Sequence, residues 1–248
     1  MNEIRKNYIL KFKEVITYNV IIRNAKGGID MLKAVIFDMD GVLVNTEPIY
    51  YKVVKEILNE NNHDITYKEY EKYIGMTNEY TWELIKTEYD IPQSIEELID
   101  TMMILKDVII KRDGYELIDG VLDLLEDLKK NDIKIGLASS SPICDILDIV
   151  QSTGIDKYFD KLVTGESVVR SKPFPDVFLK AAKELEVSSK ECIVIEDSKN
   201  GVLAANSANI KCIGFLNKDS GNQDLSMSDL IVENLKDISY KSIESIIE

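Results

Sequence analysis

The chain has 248 residues, 45% of them hydrophobic and 30% charged, which allows a real core and one large domain or two modest ones. Lys+Arg 30 against Asp+Glu 44 leaves a net charge of −14, which argues against nucleic-acid binding driven by phosphate neutralisation and against an anionic membrane surface. A single histidine, His63, rules out a multi-histidine zinc site within the chain, and three cysteines (Cys144, Cys192, Cys212) do not make a disulfide framework, so a reducing cytoplasm is expected.

Residues 1–30 differ from the rest. Their longest uncharged run, VITYNVII, is too short and polar for a membrane span, and no cleavage site follows it. Lys26-Gly27-Gly28 can be encoded by a purine-rich stretch resembling a bacterial ribosome-binding site, a short distance before Met31. The richness in Ile, Lys, Asn and Glu fits an A/T-rich bacterial genome. Residues 1–30 are therefore expected to be leader or extension outside the fold, the rival reading being an extra helix over about residues 8–22.

From Met31 onward short apolar runs alternate with helical segments. The runs are KAVIFD (33–38), IKIGLAS (133–139), LVT (162–164), ECIVIED (191–197), IKCIGF (210–215) and LIV (230–232). Continuous apolar character, without polar alternation, is how strands of a parallel sheet covered on both faces read. Helical periodicity falls at 120–131, 142–153, 175–186 and 199–208, so βαβ units are expected. Between Pro48 and about Gly114 no strand is apparent; four helical segments take its place, the last opened by a capping box of Ser94 and Glu97. The expected organisation is an α/β, doubly wound, Rossmann-like core over 31–46 and 115–248 with a helical cap domain inserted over 47–114. No amphipathic seam suggests an oligomer, and a monomer is expected.

The sharpest chemical feature is Asp38-Met39-Asp40-Gly41, directly after the first strand. In extended chain, residues i and i+2 point the same way, so two carboxylates leave the carboxyl end of a buried strand together, where open α/β sheets bind ligands. Glu196-Asp197 ends another buried strand. Paired carboxylates about 4 Å apart at an effective dielectric near 20 repel by roughly 4 kcal/mol, and a hard cation with oxygen ligands, Mg²⁺ above all, relieves this. Lys172 adds a positive charge, and Ser139 and Ser140, after the strand IKIGLAS, offer hydroxyls and N–H groups. Together they form a phosphate receptor with a carboxylate facing phosphorus. Each element alone reads equally as a turn or a helix cap; all of them in order, at strand ends, do not.

The motifs VIFDMDG, LASSS, SKPFPD and VIEDSKNG, in that order, resemble those of the haloacid dehalogenase-like hydrolase superfamily, in the branch holding β-phosphoglucomutase and many small-metabolite phosphatases. The resemblance runs from Met31 to the C-terminus. It implies Asp38 as a nucleophile forming an aspartyl-phosphate, Asp40 as general acid/base, and Mg²⁺ held by Asp38, the Asp40 carbonyl and Asp197, with Glu196 as ligand or support. It further implies Ser139 on the phosphoryl group, and Lys172 neutralising both that group and Asp38. The mutase branch carries a histidine where this chain has Tyr50 and a cap arginine where it has Asn78. A phosphatase acting on a small, singly phosphorylated metabolite, a sugar phosphate or a nucleotide-like ester, is therefore expected ahead of a β-phosphoglucomutase-type mutase. A non-catalytic phospho-ligand sensor is a third reading, and a phosphonatase lacks its cap lysine. Cap candidates for the cleft are Glu47, Tyr50, Gly75, Met76, Thr77, Asn78 and Trp82, although Trp82 and the tyrosines read first as cap-helix core.

Overall fold

The computed structural model describes residues 31–74 and 76–247; the expectations for residues 1–30 and for Gly75 lie outside the described residues. Six parallel strands form one sheet: β1 Ala34–Phe37, β2 Lys134–Ser139, β3 Lys161–Thr164, β4 Cys192–Glu196, β5 Lys211–Phe215 and β6 Leu230–Val232. Their order is β3-β2-β1-β4-β5-β6. Every run expected to be a strand is one.

The sheet is buried because successive side chains feed two separate cores. Val35, Phe37, Ile135, Leu137, Ile193 and Ile195 face one layer, built with α5 (Val121–Lys130), α6 (Ile143–Ser152) and α9 (Tyr240–Ile247). Ala34, Ile36, Ala138, Cys192, Val194 and Cys212 face the other, built with α7 (Asp176–Glu184) and α8 (Lys199–Ser207). This period-2 division explains the unbroken apolar runs. The two buried thiols are free and pack as small hydrophobes.

Between β1 and α5 lie α1 (Glu47–Glu60), α2 (Tyr67–Tyr70) with a 3₁₀ turn over Glu71–Tyr73, α3 (Asn78–Tyr89) and α4 (Ile95–Asp113). This insert has a core of its own, around Val53, Ile57, Leu58, Ile85, Leu98 and Ile109, with Trp82 fully buried and its indole N–H directed at Met102 Sδ, 3.5 Å away. The Ser94–Glu97 capping box opens α4, and a second one, Thr66–Glu69, opens α2. Trp82 is thus core, as its helical spacing allows. The two passages into and out of the insert run side by side: Asn45 N–H donates to the Glu116 carbonyl (3.1 Å) and Ile118 N–H to the Leu43 carbonyl (3.0 Å). His63 sits exposed just past the end of α1, its N–H bonded to the Leu58 carbonyl. No described helix is long and apolar enough to cross a membrane.

Candidate active site

The sheet topology fixes where the site forms. From β1 the chain proceeds outward to β2 and β3, then returns to β4 on the other side of β1. The crevice at such a switch point, beyond the carboxyl ends of the strands, is where open α/β sheets bind ligands. Phe37 pairs in register with Leu137 and Ile195, and the next residue, Asp38, donates its N–H to the Ile195 carbonyl (3.0 Å). Asp38 and Glu196 therefore leave adjacent strands at the same level. Asp197 follows, and single oxygens of Asp38, Glu196 and Asp197 lie within 4.8 Å of one another, all three residues buried.

Lys172 enters this acidic pocket from the loop before α7. Its ammonium donates to Asp38 Oδ1, to Glu196 Oε1 (2.8 Å) and to the Ala138 carbonyl (3.2 Å), with its side chain 7% exposed. Burial works against the Lys172 charge, but the two carboxylates prevail and hold its pKa above the ordinary lysine value. Burial pushes the Asp38 carboxyl up to about 7, against the pull of Lys172, and raises Asp197 well above the usual carboxylate range, with Glu196 and Asp38 adding to the shift. One lysine thus faces three buried acids. A divalent cation bound by hard oxygen donors answers that imbalance.

The remaining groups divide around this centre. Glu196 Oε2 accepts from the Ser198 N–H (2.7 Å) and hydroxyl (2.9 Å), so this carboxylate is committed to Lys172 on one oxygen and to the N-terminus of α8 on the other. Asp197 Oδ2 accepts from Ser220 Oγ. Asp40 has hydroxyl partners: Thr46 Oγ1 donates to its Oδ1 and Ser141 Oγ to its Oδ2, both at 2.9 Å. Ser139 is buried, its Oγ accepting from the Ser141 N–H (3.0 Å), and Ser140 shares a hydrogen bond with Ser171 (2.9 Å). Gly201 carries no side chain because a Cβ would lie 1.6 Å from Glu196 Oε1.

These groups line one cleft with about 200 Å³ of open space: Asp38, Asp40, Ser139, Ser140, Lys172, Glu196 and Asp197 on the core side, Glu47 and Ile74 from the insert. Glu47 is held by the Tyr70 hydroxyl (3.1 Å), and burial raises its carboxyl to about 7. Tyr50 faces a smaller cavity on the other side of Asp40 and Thr46, beside Lys106, which pairs with Asp145 at 3.1 Å. Met76, Thr77 and Asn78 are exposed and absent from the cleft wall; Thr77 caps α3 instead, accepting from the Tyr80 N–H (3.3 Å). The sequence reading did not single out Thr46, Ser141, Lys106, Ser220 or Gln223. Ser141 and Thr46 lay within reach of a simple signal, Ser141 as the last hydroxyl of the LASSS motif and Thr46 as a hydroxyl residue soon after VIFDMDG. Ser220 carries no such mark beyond its place in an Asn/Asp/Ser/Gly-rich loop after β5.

Residues 35–215 match the haloacid dehalogenase-like hydrolase family. The chain belongs to this family. It is 34% identical over 185 residues to a phosphorylated carbohydrates phosphatase of Thermotoga maritima, covering 73% of this chain and 84% of that one. It is 31% identical over 216 residues to a β-phosphoglucomutase of Bacillus subtilis, covering 85% and 93%. Its fold superposes on the crystal structure of a β-phosphoglucomutase from Clostridium difficile with a TM-score of 0.68 at 27% identity, over 88% of this chain and 97% of that one. Within this hydrolase family the chain is thus similar to both phosphatases and mutases.

Proposed function

We propose that this haloacid dehalogenase-like hydrolase is a Mg²⁺-dependent phosphatase of a small, singly phosphorylated carbohydrate. The observation that carries this reading is the contrast between Asp38 and Asp40. Asp38 lies against the Lys172 ammonium, which neutralises the approach of a phosphate to a carboxylate. Asp40, two residues away, accepts from the Thr46 and Ser141 hydroxyls instead, which leaves it outside that ion pair for a separate role in proton transfer.

In this reading Asp38 attacks phosphorus, and the bond from phosphorus to the ester oxygen breaks. Asp40 gives its proton to the departing alkoxide, then takes one from the water whose oxygen attacks the aspartyl-phosphate. That second attack breaks the bond between phosphorus and the Asp38 oxygen, releasing phosphate and restoring the carboxylate. Lys172 and the Ser139–Ser140 segment stabilise the charge on the transferring group. Asp38 and Asp197, with Glu196 in support, would hold Mg²⁺; the all-carboxylate donor set with its single lysine fits a hard divalent ion. Bound there, the ion supplies further positive charge to the phosphoryl oxygens. The helical insert acts as a cap that shapes the leaving-group side of the cleft through Glu47 and Ile74.

Two observations favour hydrolysis over a mutase. Lys172 is the only cation among the described residues that line the main cleft, where a bisphosphate intermediate would need a second grip. Lys106, in the neighbouring cavity, is already paired with Asp145. The three free thiols support a cytoplasmic setting.

Phosphate release from a panel of phosphorylated sugars, polyols and nucleosides, with Mg²⁺ and with EDTA, tests the reading. Mg²⁺-dependent release that Asp38→Asn abolishes is expected. Conversion of β-glucose 1-phosphate to glucose 6-phosphate without phosphate release would replace it with the mutase.

A further inference from the structure

The loop after β5 touches the acidic centre and the insert at once. Asn217 Nδ2 donates to the Gly41 carbonyl (3.0 Å), and Ser220 Oγ donates to Asp197 Oδ2. Between them, the Asp219 carboxylate accepts from the Tyr67 hydroxyl on Oδ1 (3.2 Å) and from Asn45 Nδ2 on Oδ2 (2.5 Å). Its own N–H is bonded to Asn217 Oδ1 (2.9 Å), which ties its position to that of the loop. Tyr67 belongs to α2 of the insert. Asn45 immediately precedes Thr46, the hydroxyl partner of Asp40. Two residues past Asp219, Gly221 abuts Ile74 of the insert; a Cβ there would lie 3.3 Å from Ile74 Cγ2.

Asp219 is thus a hub. One hydrogen bond reaches the insert, one reaches the passage leading to it, and one peptide bond away Ser220 holds the proposed metal ligand Asp197. Both side-chain donors to Asp219 are neutral groups, so no charge pair locks the contact. The Tyr67 link is a single hydrogen bond, suited to being made and broken as the insert moves.

We propose that Asp219 is a positioning residue that couples closure of the helical insert to the metal ligand Asp197. With Tyr67 engaged, the 217–221 loop is pinned between insert and core, and Ser220 fixes the Asp197 carboxylate. With Tyr67 released, the loop keeps only its apolar contact with Ile74 on the insert, and the hold on Asp197 slackens. Linkage is reciprocal: a divalent ion at Asp197 then favours the closed insert by the same factor by which closure favours the ion. The inference rests on reading Asp197 as a metal ligand.

The test is Mg²⁺ binding measured by calorimetry on the full chain without substrate, for wild type, Tyr67→Phe and Asp219→Ala. Tyr67→Phe keeps the ring that packs edge-on to Tyr51 and tilted to Tyr70, so the insert retains its core. Both variants are expected to weaken Mg²⁺ binding about 5–10-fold, the range of ordinary coupling between sites. The double variant should be no weaker than Asp219→Ala alone, because both changes remove the one Tyr67–Asp219 hydrogen bond. In the phosphate-release assay KM should rise with kcat at saturating Mg²⁺ within about threefold, the pattern of a lost contribution to binding. Wild-type Mg²⁺ affinity in folded Tyr67→Phe would overturn the inference, and so would an absence of Mg²⁺ binding by the wild type. Failure of the phosphatase reading shows separately, as no phosphate release from wild type, and leaves the comparison of Mg²⁺ affinities standing.

Discussion

A methyl group on Gly41 would fall 1.9 Å from Asp197 Oδ2. The turn that carries Asp38 and Asp40 off β1 therefore packs backbone-to-carboxylate against the end of β4. Gly41 also adopts φ +80°, a conformation that side chains resist. Gly41→Ala should displace Asp197, lower kcat/KM at least about 100-fold, and cost roughly 1–3 kcal/mol of stability through strain. Chemical denaturation and steady-state kinetics check both effects; near-wild-type activity would show that the approach is not needed.

Removing Lys172 should expose the cost of three buried acids around one cation. At pH 8, in EDTA, Lys172→Met leaves Asp38 and Glu196 facing each other without a counter-charge, and breaking a buried pair costs roughly 3–5 kcal/mol. At pH 5 the loss should shrink. The Asp38 carboxyl is already raised to about 7 beside Lys172, and without the lysine it rises further, so it binds a proton in the native state and the repulsion disappears. Urea unfolding of both proteins at the two pH values gives the comparison. An equal loss at pH 5 and pH 8 would mean that Lys172 acts by packing alone, for example through its 4.9 Å approach to the Phe178 ring.

The different legibility of these residues has a physical basis. Asp38, Asp40, Glu196 and Asp197 were readable because a strand end is announced by its apolar run, and an acid there has no reason of packing to exist. Lys172, beside a proline, is marked less sharply: its charge balances the acids, but only the family resemblance implies that it neutralises Asp38. Asn78 was a cleft candidate through the resemblance to the mutase branch and Thr77 through its place in the cap, whereas in this chain they cap and open α3 and face solvent. The 217–221 loop was invisible because its partners, Gly41, Asn45, Tyr67 and Asp197, are more than 20 residues away, and no local periodicity encodes a contact made by a turn.

The two hydroxyls on Asp40 give a prediction that separates proton transfer from phosphoryl transfer. Thr46→Val and Ser141→Ala each remove one donor from a different oxygen of Asp40. If Asp40 protonates the leaving group, the loss should grow with the basicity of that group. About tenfold lower kcat/KM is expected for a sugar phosphate, and less than threefold for p-nitrophenyl phosphate, whose leaving group needs little protonation. Equal losses on both substrates would place the two hydroxyls in binding instead.

Glu47 offers a readout that needs no substrate. Its carboxyl faces the cleft from the first turn of α1, and burial lifts it from 4.5 to about 7, with the Tyr70 hydroxyl pulling it down and Asp40 and Asp219 pushing it further up. In the unfolded chain it ionises near the ordinary value, so between about pH 4.5 and 7 the native state binds more protons than the unfolded one. Stability must then fall as pH rises through that window and level off above it, because each ionised Glu47 has to be buried to keep the fold. The penalty at pH 8 is on the order of 3 kcal/mol. Glu47→Gln keeps the shape and removes the charge, so it should be more stable than wild type at pH 8 by about that amount, and indistinguishable from it at pH 4. Asp38 and Asp197 share the same direction of shift, but they are present in both proteins and cancel in the difference. Unfolding curves across pH 4–8 in EDTA test this, and a wild-type-minus-variant difference that stays flat with pH would remove Glu47 from the set of groups ionising at a cost. The same substitution should leave phosphate release from p-nitrophenyl phosphate nearly intact while weakening a hydroxyl-rich substrate through KM, since Glu47 lies beside the reacting centre and not within it.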